Sequence, residues 1–254
     1  MIHSSAIIDP SARLADDVEV GPWTVIGPNV EVGSGTRINS HVVIKGPTKI
    51  GSGNHIFQFA SIGEDCQDKK YNGEPTELLI GDNNVFREGC TIHRGTIQDN
   101  SVTIIGSDNL FMANVHVAHD CVVGSNNILA NNCAIAGHVQ MGDNIILGGF
   151  TAVHQFCVIG SHSMCGAGTV VLKDIPAFVM SNGNSAQPHG INAEGLKRRG
   201  FSSEAIQNIK RAYKIIYRQG LKLDQAIEQL ELMTSPEIQL LTDSLKASTR
   251  GIIR

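Results

Sequence analysis

A six-residue rhythm constrains this chain more than any other feature. Stepping by six from Ile8 gives Leu14, Val20, Ile26, Val32, Ile38, Ile44, Ile50, Ile56 and Ile62, with no polar residue among them. The phase returns at Ile80, 18 residues on, and continues through Phe86 and Ile92. It then slips by one residue. From Ile105 it runs through Phe111, Val117, Val123, Leu129, Ile135, Met141, Leu147, Val153, Ile159, Cys165 and Val171. Of these 25 positions, 21 are Ile, Leu or Val, which chance does not produce.

A period of six is neither helical nor that of a simple alternating strand. It reads as an all-β solenoid, one short strand and one corner per repeat. The aliphatic residue points into a narrow prism, with Ala, Thr, Val or Cys often beside it. Gly, Asn and Asp supply corner conformations that other residues resist. Three strands close a triangular coil of 18 residues. Coils stack at the spacing of neighbouring strands, ~4.8 Å. Parallel stacking satisfies the backbone, so the low aromatic content of 5% is no obstacle.

Two stretches break the rhythm. The first, residues 63–79, is polar and holds an Asn72-Gly73 turn. The second is residues 93–104. Loops that interrupt a regular solenoid commonly carry function. The repeat fades after Val171 into a stretch rich in Pro, Gly and Asn. The chain is expected to divide into a solenoid over 1–185 and a linker plus helical domain over 186–254. In the tail, Ser202 or Ser203 caps a helix with Ile206, Ile209, Tyr213, Ile216 and Tyr217 on one face. Ser235 and Pro236 start another.

No run of 18 apolar residues occurs, and "MIHSSAIIDPSARL" lacks the pattern of a secretion signal, so a cytoplasmic protein is expected, not one integral to a membrane. Cys90, Cys121, Cys133 and Cys157 share one small-residue position, which points to buried thiols and not to a disulfide framework. The net charge of −4 argues against nucleic acid as partner. Residues 193–254 nevertheless carry eleven Lys and Arg against seven Asp and Glu, a basic tail on an acidic body. An anionic ligand or partner near that end is expected.

Residues 18 apart share a column of the solenoid. His119 lies under Gly137, and Gly137 under Gln155. Asp120 lies under His138, and His154 shares the column of Ala118 and Ala136. Six chemistry-bearing positions thus gather on one edge within roughly 10 Å of rise. A histidine can take a proton from a hydroxyl nucleophile at neutral pH. A carboxylate beside it orients the ring, and a glycine N–H can face a developing oxyanion. Base plus oxyanion donor suits acyl transfer to an alcohol. The rival readings are a zinc lyase, since clustered histidines suit Zn²⁺, and a non-catalytic scaffold. His41 and His162 are assigned to structure.

The repeat resembles that of the hexapeptide-repeat acyltransferases, whose fold is a left-handed parallel β-helix. The hand comes from the resemblance. The motifs "QFASIGEDCQDKKY", "TIHRGT", "VAHD", "ILANN", "AGHV", "TAVHQF" and "NAEGLKRRGFS" resemble, in order and over essentially the whole chain, the UDP-N-acetylglucosamine acyltransferases that start lipid A synthesis. A sister family that N-acylates a later intermediate has an extra N-terminal domain, for which a repeat starting at Ile8 leaves no room.

The resemblance implies the following. The donor is an (R)-3-hydroxyacyl thioester on the phosphopantetheine of acyl carrier protein, with no resident cofactor and no metal. The acceptor is the 3-hydroxyl of UDP-N-acetylglucosamine. His119 is the general base, Asp120 orients it, and Gly137 gives the oxyanion N–H. His116, His138, His154 and Gln155 line the sugar-nucleotide site, with His93 and Arg94 nearby. Asp68 and Lys70 reach the site across a subunit boundary of a homotrimer. Asn192, Glu194, Arg198 and Arg199 contact the nucleotide. Ala167 falls where the family ends its acyl groove and is expected to set an intermediate acyl limit, and the basic tail suits an acidic carrier protein.

Overall fold

The computed structural model describes all residues, Met1–Arg254. The chain winds into a left-handed parallel β-helix with helices at its C-terminal end. The strands fall into three sheets of 9, 8 and 10, and within the coils each strand pairs with the one that follows it a full turn later. Register follows the 18-residue column: His116 pairs with Ala134, and Ala134 with Ala152. Most strands are two residues long, one side chain outward and one inward. From Val20 to Val171 every repeat aliphatic is buried, whereas Ile8 and Leu14, in the first coil, are only partly covered.

The corners explain much of the remaining composition. Once or more per coil a residue adopts φ near +60°, a conformation that costs most L-residues energy but suits Gly, Asn and Asp. One corner column reads Asn83, Asp108, Asn126, Asn144 and His162, and another ends in Asp120, His138 and Phe156. Inside the prism, the buried Asn54, Asn84, Asn109 and Asn127 form a ladder. The side-chain oxygen of each accepts the backbone N–H of the next, at 2.8–3.0 Å. Each amide therefore satisfies a backbone donor one coil on, as buried polar groups must.

Both interruptions are shorter than the broken rhythm suggests. Strands Ser61–Glu64 and Glu77–Ile80 leave an insertion of 65–76, and Thr91–His93 and Val102–Ile105 leave one of 94–101. Pairing extends into them because Glu77 finds Val102 and Leu78 finds Thr48 in register. Asn72-Gly73 forms no hydrogen-bonded turn. Gly73 bends the chain at φ +87°, and the turn lies earlier, where the Tyr71 N–H reaches the Asp68 carbonyl at 3.0 Å.

Beyond the last coil, strand Gln187–Ile191 pairs antiparallel with Val179–Asn182. Four helices follow: α1 (Ala193–Arg198), α2 (Ser203–Arg218), α3 (Leu223–Glu231) and α4 (Pro236–Lys246). Ser202 caps α2 through the Ala205 N–H, and the buried face is Ile206, Ile209, Ala212, Tyr213 and Ile216. Ser235 precedes α4 but its hydroxyl caps nothing. The helices share a second core with Ala177 and Phe178 of the solenoid's end. The buried Asp174 ties the two parts. Its carboxylate accepts from the Val158 N–H at 2.7 Å, the Ser248 hydroxyl at 2.6 Å and the Arg250 N–H at 3.0 Å.

No helix is long and apolar enough to cross a membrane. All six cysteines are free and buried. Burial pushes the Cys90 and Cys121 thiols up to about 12, so they are protonated fillers of the prism.

Candidate active site

One sheet carries His116 and Ala134 outward on successive coils, with Ala152 above them. Between this face and the first insertion lies a cleft of about 440 Å³. Its walls include His93, His116, His119 and Gly137, and its floor is alanine-rich. Small side chains leave room on the outer face of the sheet for an apolar chain.

His119 stands at the cleft's edge with its side chain 16% exposed. It does not occupy a left-handed corner, so no backbone requirement accounts for it. Its Nδ1 lies 2.9 Å from Oδ2 of Asp120, whose side chain is fully buried. Oδ2 also accepts the Thr96 hydroxyl at 2.6 Å, and Oδ1 accepts the Thr96 N–H at 2.9 Å. Burial pushes the Asp120 carboxyl up, but the hydrogen bonds from His119 and Thr96 outweigh it and hold the group below its ordinary value. An ionised carboxylate only accepts, so Nδ1 is the donor and Nε2 carries the lone pair.

Gly137 lies one coil above. A Cβ built on it would meet the His119 ring at 2.6 Å, so only glycine admits the imidazole here. The Gly137 N–H has no acceptor within the protein. His138, at the corner above Asp120, gives Nδ1 to Asp99 at 2.9 Å and stacks on Phe156. It meets His119 edge-on at 5.0 Å. His116 pairs its Nδ1 with the Thr91 hydroxyl at 2.8 Å and packs edge-on against His93.

His119, Asp120 and His138 also offer three ligand atoms within 4.8 Å of one another. Three of the carboxylate's acceptor positions, however, are already filled by Thr96 and His119. The group is held together by its own protons, which suits a base and its orienter better than a cation.

Of the other expected site residues, Asp68 alone joins the cleft lining. It lines the cleft of its own protomer, where the first insertion folds back over the sheet that starts it. Lys70 is exposed outside the lining, and its N–H binds the Asp68 carboxylate. His154 and Gln155 are exposed outside the lining. Arg94 is buried and clamps the first insertion through the Gly63 carbonyl, Asp65 and Tyr71. Asn192 is buried and caps α1, with its amide also donating to the His162 carbonyl at 3.1 Å. Glu194 pairs with Lys197, Arg198 is exposed and Arg199 half-buried. None of these four lines the cleft of its own protomer, nor does Ala167, exposed at a corner roughly 13 Å of axial rise from His119. Sequence reasoning missed Gln67, Thr96 and Asp99.

Burial, reinforced by His116, pushes the His93 imidazole down to about 4 from an ordinary 6.5. Between those values the unfolded chain binds a proton that the folded one does not. Stability contributed here is therefore full above pH 6.5 and is lost as pH falls toward 4. The loss is expected to be on the order of 3 kcal/mol. Urea midpoints from neutral pH down to about 4.5 check this, and His93→Gln is expected to flatten the slope; an unaltered slope would refute it.

The β-helix of six-residue repeats is that of the hexapeptide-repeat transferases, and the family models agree. Residues 103–137 match the family model "Bacterial transferase hexapeptide (six repeats)", and residues 174–253 match "Udp N-acetylglucosamine O-acyltransferase; Domain 2". The acyl-[acyl-carrier-protein]–UDP-N-acetylglucosamine O-acyltransferase of Stutzerimonas stutzeri is 58% identical, over 100% of this chain and 99% of that one. The solved UDP-N-acetylglucosamine O-acyltransferase of Moraxella catarrhalis is 50% identical, with a TM-score of 0.99 over 100% of this chain and 99% of that one. The Arabidopsis UDP-N-acetylglucosamine acyltransferase is 35% identical, with a TM-score of 0.87 over 100% of both chains. The chain belongs to the UDP-N-acetylglucosamine O-acyltransferase family.

Proposed function

We propose that this chain transfers an (R)-3-hydroxyacyl group from acyl carrier protein to the 3-hydroxyl of UDP-N-acetylglucosamine, the first step of lipid A biosynthesis. The observation that carries the chemistry is a histidine with its lone pair on Nε2, set beside a free glycine N–H at an alanine-floored cleft. Kinship over the whole chain supplies donor and acceptor.

Nε2 of His119 takes the proton of the sugar hydroxyl as its oxygen attacks the thioester carbonyl. The C–O bond forms, and the carbonyl oxygen becomes an anion facing the Gly137 N–H. Asp120 stabilises the imidazolium through Nδ1. The intermediate then collapses, the C–S bond breaks, and the imidazolium returns the proton to the leaving thiolate.

No lysine or arginine lines the cleft of one protomer, although the acceptor is a nucleoside diphosphate sugar. Its charge is met by Arg198 and Arg199 of a neighbouring copy, with Glu194 on the same helix, in a cytoplasmic homotrimer. The aliphatic outer stripe of Val85, Leu110, Ile128 and Ile146 supports such an assembly. Acyl length is set at Ala167. Assay of 3-hydroxyacyl carrier proteins of graded length against UDP-N-acetylglucosamine tests both claims. Ala167→Gly is expected to move the preferred donor toward longer chains. No transfer with any donor would defeat the function, and an unchanged optimum in the variant would defeat the role of Ala167 alone.

A further inference from the structure

We propose that Thr96, in the second insertion, is a positioning residue that holds the Asp120 carboxylate, and through it the His119 ring, in the reactive orientation. The proposal rests on His119 being the base. The solenoid corner places the Asp120 backbone, and the Thr103 hydroxyl accepts its N–H at 2.9 Å. Neither contact sets the rotation of the carboxylate. Thr96 does. It straddles the group, giving its N–H to Oδ1 at 2.9 Å and its hydroxyl to Oδ2 at 2.6 Å, and it is itself 2% exposed. Oδ2 is the oxygen that receives His119 Nδ1. With the Asp120 side chain fully buried, water has no access to replace a lost donor.

The second insertion thereby reaches the site from outside the hexapeptide register, and the same loop sends Asp99 to His138. The ionisable groups around the pair are His138 from the next coil, Asp99 from this loop, His116 from the same coil, His93 from the preceding one, and Cys66 and Asp68 from the first insertion. None of these gives a hydrogen bond to either Asp120 oxygen.

Thr96→Val keeps the N–H and removes the hydroxyl. Without that donor, charge on Oδ2 is left for Nδ1–H, which favours the imidazolium, and the carboxylate is freer to turn. We expect kcat to fall by about tenfold, with KM for UDP-N-acetylglucosamine within about twofold. We expect the acid limb of kcat/KM to move up by about half to one pH unit. Thr96→Ser should restore both. An acid limb that stays in place overturns the proposal even where turnover or thermal stability falls, because lost packing alone would do that. So does a Thr96→Ser variant as impaired as Thr96→Val. If Thr96→Val does not fold, Thr96→Ala is read by the same limits. The His119→Ala variant separates the two assignments. Surviving turnover there removes the base, whereas its loss beside a silent Thr96→Val removes only Thr96.

Discussion

His119→Ala is expected to lower turnover by about 10²–10⁴-fold while the solenoid stays folded. The ring fills no core position, and Val117, two residues earlier, already supplies the buried side chain of that repeat. Its removal takes one donor from a carboxylate that keeps both Thr96 contacts, so the stability cost is about 1 kcal/mol. The catalytic cost is larger because nothing else in the cleft has the same attributes. His116 has its Nδ1 on Thr91 and no carboxylate behind it. His93 is buried and held down to about 4, too weak a base to accept a hydroxyl proton well. His138 has a carboxylate, but it stacks on Phe156, meets His119 edge-on and does not line the cleft. Turnover by UDP-N-acetylglucosamine assay, with circular dichroism as the check on folding, decides the matter. A variant within tenfold of the parent would end the assignment of His119 as base.

The parts of this molecule that could be read in its sequence are those on which the register acts. Each position that counting by six picks out from Val20 to Val171, outside the two interruptions and allowing the one-residue slip after Ile92, is buried in the core, because a solenoid translates sequence distance into height directly. The same arithmetic put Gly137 over His119 and His138 over Asp120. It gives height and edge, however, not the direction a side chain takes, so His154 and Gln155 share columns with Ala136 and Gly137 but are exposed outside the cleft lining. The insertions obey no period. Thr96 reaches Asp120 across 24 residues and Asp99 reaches His138 across 39, and neither separation is a whole number of coils. Asn192 shows a different limit. An amide between a strand and a helix suits a ligand contact and a cap equally well by type, and only the observed bonds to Gly195 and His162 reveal the capping role. Corner chemistry blurs the signal further, since Asp120 and His138 are residue types that a left-handed corner favours anyway.

Gly137→Ala separates the position of the base from the identity of the oxyanion donor, and it is expected to reduce kcat by on the order of 10²-fold. Gly137 does not adopt a positive φ, so alanine meets no backbone penalty there. The added methyl would lie 2.6 Å from Cε1 and 2.7 Å from Nε2 of His119, which real carbon contacts do not tolerate. The adjustable partner is the imidazole, since Gly137 is fixed by the coil while the ring rotates about its own bonds. Turning it away lengthens the 2.9 Å contact to Asp120 and withdraws Nε2 from the place where the sugar hydroxyl must sit. Alanine keeps its N–H, so an oxyanion donor survives the substitution. The lost rate therefore reports on the base, with thermal stability expected to fall by about 1–2 kcal/mol at most. Substrate binding remote from the ring should be nearly intact, which predicts a change in kcat larger than that in KM. Full turnover in Gly137→Ala would mean that the ring has another productive seat, and the stacking of His119 against Gly137 would then be packing without catalytic consequence.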